Sequence, residues 1–348
     1  MDRDLPAGGR PSGVITLGIE TSCDETAVAI VEDGFTVRSN LIAAQVHLHE
    51  RFGGVVPEVA ARAHVEALSP LLDEALAAAG VEFPEVDGVA VTVGPGLVGA
   101  LLVGMAAAKS IALVTGAPLI GVNHLEGHYW ANFLVHGSPM PPYVALVVSG
   151  GHTMLVHVPE IHRHEVLGQT LDDAAGEAFD KVARLLGLGF PGGPAIDAMA
   201  RQGDPHAIAF PRAMAASEDL DFSMSGLKTA VLRYVQAERA AGRDLHVPDI
   251  AASFQEAIVD VQVTKTIAAA RASGVQTVLL GGGVVANTRL RERLEADGAA
   301  VGLRVLFPPP DLCTDNAAMI ACLGAARLAR GERTSLDTAA DPNLRLAP

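Results

Sequence analysis

His124 and His128 stand four residues apart in a stretch of helical character. That spacing puts both imidazoles on one helix face, about one turn apart, as a bound metal ion requires. Histidine pairs at this spacing also occur as structural or solvated pairs, so the pair alone leaves both readings open. The HExxH arrangement, in which a glutamate next to the first histidine serves as general base, is not met. Glu126 follows His124 by two residues, about 200° round the helix, and faces away from an ion held by the pair. Peptidase chemistry is therefore disfavoured. A third ligand is on offer in Cys313-Thr314-Asp315-Asn316: Asp315 as a carboxylate, or Cys313 as a softer donor. Asp315 could equally be no more than the N-cap of the apolar helix that begins at Ala317. Two histidines and one carboxylate would leave coordination positions open for a ligand oxygen, which suits Fe(II) or Zn(II).

Three turns of small residues are candidates for phosphate contact, because they let backbone N–H groups approach an anion closely. They are Thr21-Ser22-Cys23-Asp24-Glu25, Ser149-Gly150-Gly151-His152 and Gly281-Gly282-Gly283. The last has the order strand, glycine turn, helix, but its spacing is neither GxGxxG nor the Walker GxxxxGK[ST]. Pro191-Gly192-Gly193-Pro194 is a further tight loop, ahead of a helix that carries Asp197.

The elements that hold these turns repeat. Val14–Glu20, Thr26–Val31 and Phe35–Ala43 read as a three-stranded meander. Pro57–Ala79 has helical spacing and stops at Gly80, Val86–Val93 is a buried strand, and Leu97–Thr115 is a helix of small residues. Leu119–Val122 is a short strand, and a helix follows over His124–His136. Tyr143–Val148, Thr153–Val158 and His164–Gly168 then start the pattern again about 130 residues on. Thr277–Leu280 reads as a strand, with helices over Ala286–Leu294 and Ala317–Leu328. A duplicated α/β protein with a cleft between its halves accounts for this order.

Composition narrows the partners. The 348 residues carry 25 Lys and Arg against 40 Asp and Glu, a net charge of −15, and only 4% aromatics. Such a surface is neither a general electrostatic glue for nucleic acid nor a platform for stacked bases. The first 100 residues hold 5 basic and 15 acidic side chains, a net of −10, so a polyanion should avoid them. Three widely separated cysteines, Cys23, Cys313 and Cys322, point to a reducing cytoplasm and away from a disulfide framework. Met1–Gly13 is polar and reads as a loose tail. The apolar stretch Val89–Val122 is interrupted by Pro95, Lys109 and Pro118 and reads as strand, helix, strand, with no membrane expected as partner.

From Ile15 to about Arg330 the chain resembles the TsaD family of tRNA N6-adenosine threonylcarbamoyltransferases. The resemblance rests on Gly18-Ile19-Glu20-Thr21-Ser22-Cys23-Asp24-Glu25-Thr26, Val93-Gly94-Pro95-Gly96-Leu97, Asn123-His124-Leu125-Glu126-Gly127-His128 and Val147-Val148-Ser149-Gly150-Gly151-His152-Thr153. Further along it rests on Gly176-Glu177-Ala178-Phe179-Asp180-Lys181, Asp221-Phe222-Ser223-Met224-Ser225-Gly226-Leu227-Lys228-Thr229, Gly282-Gly283-Val284 with Asn287, and Cys313-Thr314-Asp315-Asn316. It implies the duplicated actin/Hsp70/hexokinase-like (ribonuclease H-like) fold. It also implies transfer of threonylcarbamoyl from threonylcarbamoyl-adenylate to N6 of adenosine 37, in tRNAs reading codons that begin with A, with AMP released.

Carried over by motif, His124, His128 and Asp315 would hold one divalent metal per subunit, Fe(II) first and Zn(II) second. Val147, Val148, Ser149, Gly150, Gly151, Asp180, Gly193, Asp197 and Asn287 would hold the adenylate, and Asp24 and Glu25 would be the catalytic acidic pair. Implied partners are tRNA, a paralogous TsaB-type subunit and a TsaE-type ATPase. The expected lobes are 14–138 with 316–335, and 139–315, followed by a tail over 336–348. A kinase of the same fold would need a dedicated catalytic aspartate and no histidine pair, and a non-catalytic scaffold would have lost His124 and His128. The basic set Arg201, Arg212, Lys228, Arg233, Arg239, Arg243, Arg289, Arg291 and Arg293 is expected to offer tRNA a phosphate-binding rim.

Overall fold

The computed structural model describes residues 13–346 apart from Ala216 and Glu218. The segment expected as an N-terminal tail lies outside the described residues, Gly13 excepted. The chain opens with β1 (Ile15–Glu20), β2 (Glu25–Glu32) and β3 (Thr36–Ala44), then α1 (Val46–His49), α2 (Pro57–Ala79), β4 (Gly88–Gly94) and α3 (Val98–Thr115). β5 (Leu119–Asn123), α4 (His124–Trp130) and α5 (Phe133–His136) follow. A second meander, β6 (Tyr143–Val148), β7 (Thr153–Glu160) and β8 (Arg163–Gln169), leads into α6 (Ala175–Leu186), α7 (Gly192–Ala200), α8 (Ser225–Ala240) and α9 (Val247–Ala272). The chain ends with β9 (Thr277–Gly281), α10 (Thr288–Ala300), β10 (Arg304–Leu306) and α11 (Ala317–Ala329).

These elements divide into two compact units. The first takes the chain to Ala43, Ala61–His124 and Asn316–Asn343; the second takes Ala44–Ala60, Leu125–Asp315 and the chain from Leu344. The first sheet has the order β3-β2-β1-β4-β5, and the second, read from its far edge, has the order β8-β7-β6-β9-β10. The pairing repeats as well. β1 is antiparallel to β2 and parallel to β4, and β6 is antiparallel to β7 and parallel to β9. The duplication read from the two hairpins is thus a duplication of whole-sheet topology.

Each sheet is buried because its central strands are continuous apolar runs. All six residues of β1 and all six of β6 are buried. In the first unit α11 lies directly on β1, which needs a residue without a side chain at Gly18. A Cβ there would stand 2.3 Å from the Ala317 carbonyl oxygen. α2 stops at Gly80, whose φ of +66° ends the helix cheaply for glycine alone. α3 turns Ala100, Leu101, Gly104, Met105, Ala108 and Ala112 inward, and it is long and apolar enough to cross a membrane by length and composition. The stretch expected as a C-terminal tail is hydrogen-bonded to this unit in part: Asp341 N donates to Val93 O at 2.8 Å and Gly96 N to Pro342 O at 3.2 Å. In the second unit α9 is buried on nearly every face, Gln255, Glu256, Gln262 and Lys265 included.

Candidate functional site

β5 runs into α4 without a loop, so the strand end fixes where His124 begins the helix. Both histidines are buried, His124 at 6% and His128 at 1% exposure. The backbone at His128 is held by β9. A Cβ on Gly281 would lie 2.6 Å from the His128 carbonyl, and Asn132 Nδ2 donates to Leu280 O at 2.8 Å. Asp315 approaches His128 Nε2 to 3.4 Å through Oδ1. One ligating atom from each of His124, His128 and Asp315 lies within 4.8 Å of the others. The N-cap of α11 is Asn316, which accepts from Met319 N at 3.0 Å, so Asp315 is not spent on capping. Cys313 turns elsewhere: Arg291 donates to its Sγ at 3.0 Å. Two imidazoles and a carboxylate at this separation form a donor set that fits a divalent Fe or Zn ion.

Both remaining carboxylates of this region have partners of their own. Glu20 ends β1 fully buried and lies 2.9 Å from His124 Nδ1 through Oε2. Burial pushes its pKa up, but His124 and the hydrogen bonds from His124, Thr92 and Ser22 outweigh this and hold it below the ordinary carboxylate range. Glu126 points to the β7–β8 hairpin, where Oε1 accepts from His162 Nδ1 at 2.9 Å with His164 Nε2 at 3.7 Å. Trp130 stacks on His162 at 5.5 Å. The helix-face argument for Glu126 therefore agrees with its contacts. Glu126→Gln is expected to keep wild-type metal content by elemental analysis; loss of metal in that variant alone would contradict the geometry.

Asp24 and Glu25 sit on the β1–β2 turn, both half-buried. The turn is pinned by buried His64, which lies 3.0 Å from the Cys23 carbonyl through Nε2 and 2.7 Å from Thr26 Oγ1 through Nδ1. Sequence reading missed His64, because a histidine 40 residues from the turn carries no local signal.

The residues expected at the adenylate form a linked string in the second unit. Val147 and Val148 end β6, and Ser149 to Gly151 make the turn. Gly176 of α6 backs that turn so closely that a Cβ there would meet Ser149 O at 2.7 Å, whereas Gly150, Gly151 and Gly193 face open space. Asp180 accepts from Gly192 N at 2.7 Å, tying α6 to the start of α7. Asp197 Oδ2 accepts from Arg201 at 2.7 Å and from Thr288 at 3.0 Å, while its buried Oδ1 has no partner among the described residues. Asp197, Thr288, Gln255, Glu256 and Arg289 line one pocket of about 350 Å³. Asn287 caps α10 by accepting from Leu290 N at 2.9 Å and donates to Gln255 at 2.7 Å. An alanine there would remove a helix cap worth about 1 kcal/mol besides any ligand contact.

The expected basic rim is largely neutralised. Arg212 pairs with Asp260, Arg289 with Glu256, and Arg293 with Glu256, Asp260 and Asp297. Arg201, Lys228 and Arg243 pair with Asp197, Asp173 and Glu238, and Arg291 donates to the Val285 and Pro308 carbonyls. Arg233, Arg239 and Arg291 of that set stay out of ion pairs among the described residues. The carboxylates of α9 were there in the sequence, but nothing local said they would meet α10.

Burial pushes the thiols of Cys313 and Cys322 up to about 11 and about 12, above the usual 9, with Arg291 partly offsetting the shift at Cys313. Both are then protonated in the folded chain at pH values where free thiols ionise, so their contribution to stability is whole below about pH 9 and is lost as pH rises towards the folded values. Iodoacetamide at pH 8 is expected to label half-buried Cys23 while Cys313 and Cys322 stay unmodified until urea is added, as read by peptide mass spectrometry.

Comparison with known proteins bears on the same residues. The family model for tRNA N6-adenosine threonylcarbamoyltransferase matches residues 36–322. The enzyme of that name from Moorella thermoacetica is 55% identical over 95% of this chain and 96% of its own length. The one from Clostridium perfringens strain SM101 is 51% identical over 95% and 98%. Among solved structures, T. kodakarensis HypF gives a TM-score of 0.63 at 14% identity over 92% of this chain and 49% of its own. Component A of the Acidaminococcus fermentans (R)-2-hydroxyglutaryl-CoA dehydratase gives 0.55 at 16% identity, over 91% and 99%. These distant structures speak for the fold alone, which is of the actin-like, duplicated α/β type. With a matching family model over most of its length and relatives above half identity, the chain is a transferase that belongs to the tRNA N6-adenosine threonylcarbamoyltransferase family.

Proposed function

We propose that this protein transfers the threonylcarbamoyl group of threonylcarbamoyl-adenylate to N6 of adenosine 37 in tRNAs reading codons that begin with A, releasing AMP. The observation that carries the reading is the convergence of His124, His128 and Asp315 in a chain of this family. A divalent ion held there, Fe(II) or Zn(II), would supply Lewis acidity and a template for oxygens of the threonylcarbamoyl group. The rest is positioning by the chain. The turn at Ser149, Gly150 and Gly151 and the open side of Gly193 leave room for the adenylate against Val147 and Val148, Asp180 fixes the loop beside it, and Asp197 offers its Oδ1 to a hydroxyl. Asn287 shapes the same wall through Gln255. Asp24 and Glu25 would act on the proton lost from the N6 amine. That amine is a weak nucleophile, so orientation must carry much of the rate, and well-oriented groups gain roughly 7–11 kcal/mol.

A tRNA substrate supports a cytoplasmic protein that works with a TsaB-type subunit and a TsaE-type ATPase. The exposed residues Val98, Leu102, Leu113 and Val114 of α3 are the proposed face for the TsaB-type subunit. Hydrogen exchange with and without that subunit tests this: residues 50–130 should gain protection, and none there rejects the face. For the reaction, purified protein, its partners, threonylcarbamoyl-adenylate and an unmodified anticodon stem-loop should yield threonylcarbamoyladenosine and AMP by mass spectrometry. Adenylate consumed without a modified nucleoside would rule the transfer out.

A further inference from the structure

We propose that Glu20 is a positioning residue that fixes the tautomer of His124 and so reserves its Nε2 for the metal. The proposal rests on the metal reading above. It begins in the sheet. β1 and β4 run parallel with Ile19 opposite Val91, so the next residues, Glu20 and Thr92, are neighbours. β5 lies beside β4 and delivers His124 directly after its last residue. Three adjacent strand ends thus place Glu20, Thr92 and His124 together.

The hydrogen bonds then leave one assignment. Glu20 Oε1 accepts from Ser22 N at 2.5 Å, and Oε2 accepts from Thr92 Oγ1 at 2.6 Å and lies 2.9 Å from His124 Nδ1. A carboxylate only accepts, so His124 Nδ1 carries the hydrogen. Ser22 Oγ, 3.2 Å from the same nitrogen, is a second oxygen available to that N–H. A neutral imidazole protonated at Nδ1 has its lone pair on Nε2, the form a metal takes. Glu20, Ser22 and Thr92 are each at most 1% exposed, so solvent does not compete for the arrangement. The same contacts exclude a Ser-His-Glu triad, in which serine and carboxylate must address opposite ring nitrogens; here both address Nδ1.

Glu20→Gln separates tautomer control from packing. The amide has the same shape, but its NH2 group, if set on His124, donates where the carboxylate accepted. It then draws the hydrogen of the ring to Nε2 and blocks that nitrogen. The experiment uses the full-length protein, first metal-free. Histidine-selective nitrogen NMR, with the His124 signal assigned from His124→Asn, should show Nδ1–H in wild type and Nε2–H in Glu20→Gln. Competition with a chelating dye should show Zn(II) held roughly 10–100-fold more weakly by the variant. An Nε2–H tautomer for His124 in wild type overturns the proposal, and so does a folded Glu20→Gln that binds Zn(II) as tightly as wild type. Wild type needs no substitution to fold, so its NMR decides even if the variant is insoluble. Wild-type protein that takes up no more Zn(II) than His124→Ala overturns the metal reading itself, an outcome told apart because the tautomer is read without metal.

Discussion

His124→Ala is expected to bring divalent-metal content to background and to lower threonylcarbamoyl transfer by more than about a hundredfold, the upper range for losing even an outer partner of a metal ligand. The variant leaves two donors, His128 and Asp315, where three converge within 4.8 Å. It also strips Glu20 of one of its hydrogen-bond partners in a fully buried setting, which costs folding roughly 1.5–3 kcal/mol for a bond to a charged group. Elemental analysis and thermal unfolding therefore belong together. Metal loss with the fold retained is the expected pattern, and a folded variant that still carries one ion per chain would refute the site.

The second large effect is on stability. Gly18→Val is expected to destabilise the chain by more than about 3 kcal/mol, since overpacking a close contact between backbones leaves little room to relax. Local propensity predicts the reverse, because valine suits a strand better than glycine does. Packing decides: the first atom added would lie 2.3 Å from Ala317 O and 2.9 Å from the Ala321 side chain. Stepping back would cost α11 its second close contact, for Gly324 on the same helix is closed down on Ala90 of β4, where a Cβ would come within 2.3 Å. A urea midpoint equal to wild type would show that the helix can be displaced after all. Because Asp315 lies two residues before the first residue of this helix, the same variant should also weaken metal binding.

Strands were legible where burial made the sequence simple. β1, β4 and β6 are near-continuous apolar runs, and the matched hairpins gave away the duplication. α2 was legible from its spacing and from Gly80. α9 was not, because a helix buried all round has no polar face to mark its period. Half of the candidate site could be read from residue spacing, the other half only from the order of motifs. The i,i+4 pair names His124 and His128, but Asp315 lies 187 residues beyond His128, and only the fold brings it within 3.4 Å. The partners found around these groups, Glu20 beside His124 and His64 beneath the β1–β2 turn, have no spacing that ties them to their targets. The ion pairing of the basic set was hidden for the same reason in reverse: Glu256 and Asp260 are one turn apart on α9, and their claim on Arg289 and Arg293 exists only once α9 and α10 are packed.

The place of α11 has a consequence for synthesis. The second unit is drawn almost wholly from one continuous stretch, Leu125–Asp315, whereas the first sheet, made of the earliest residues, is covered by a helix that begins at Ala317. On the ribosome β1 must wait, its Gly18 face bare, until nearly the whole chain has emerged, while the later-made unit already has its own elements in hand. The half translated first is thus expected to close last, and protease pulses along the growing chain would register Leu125–Asp315 becoming resistant before Ile15–Asn123. A stop codon just after Asp315 would then leave the three candidate metal ligands all present in a chain whose first sheet keeps α2 and α3 but lacks its α11 cover.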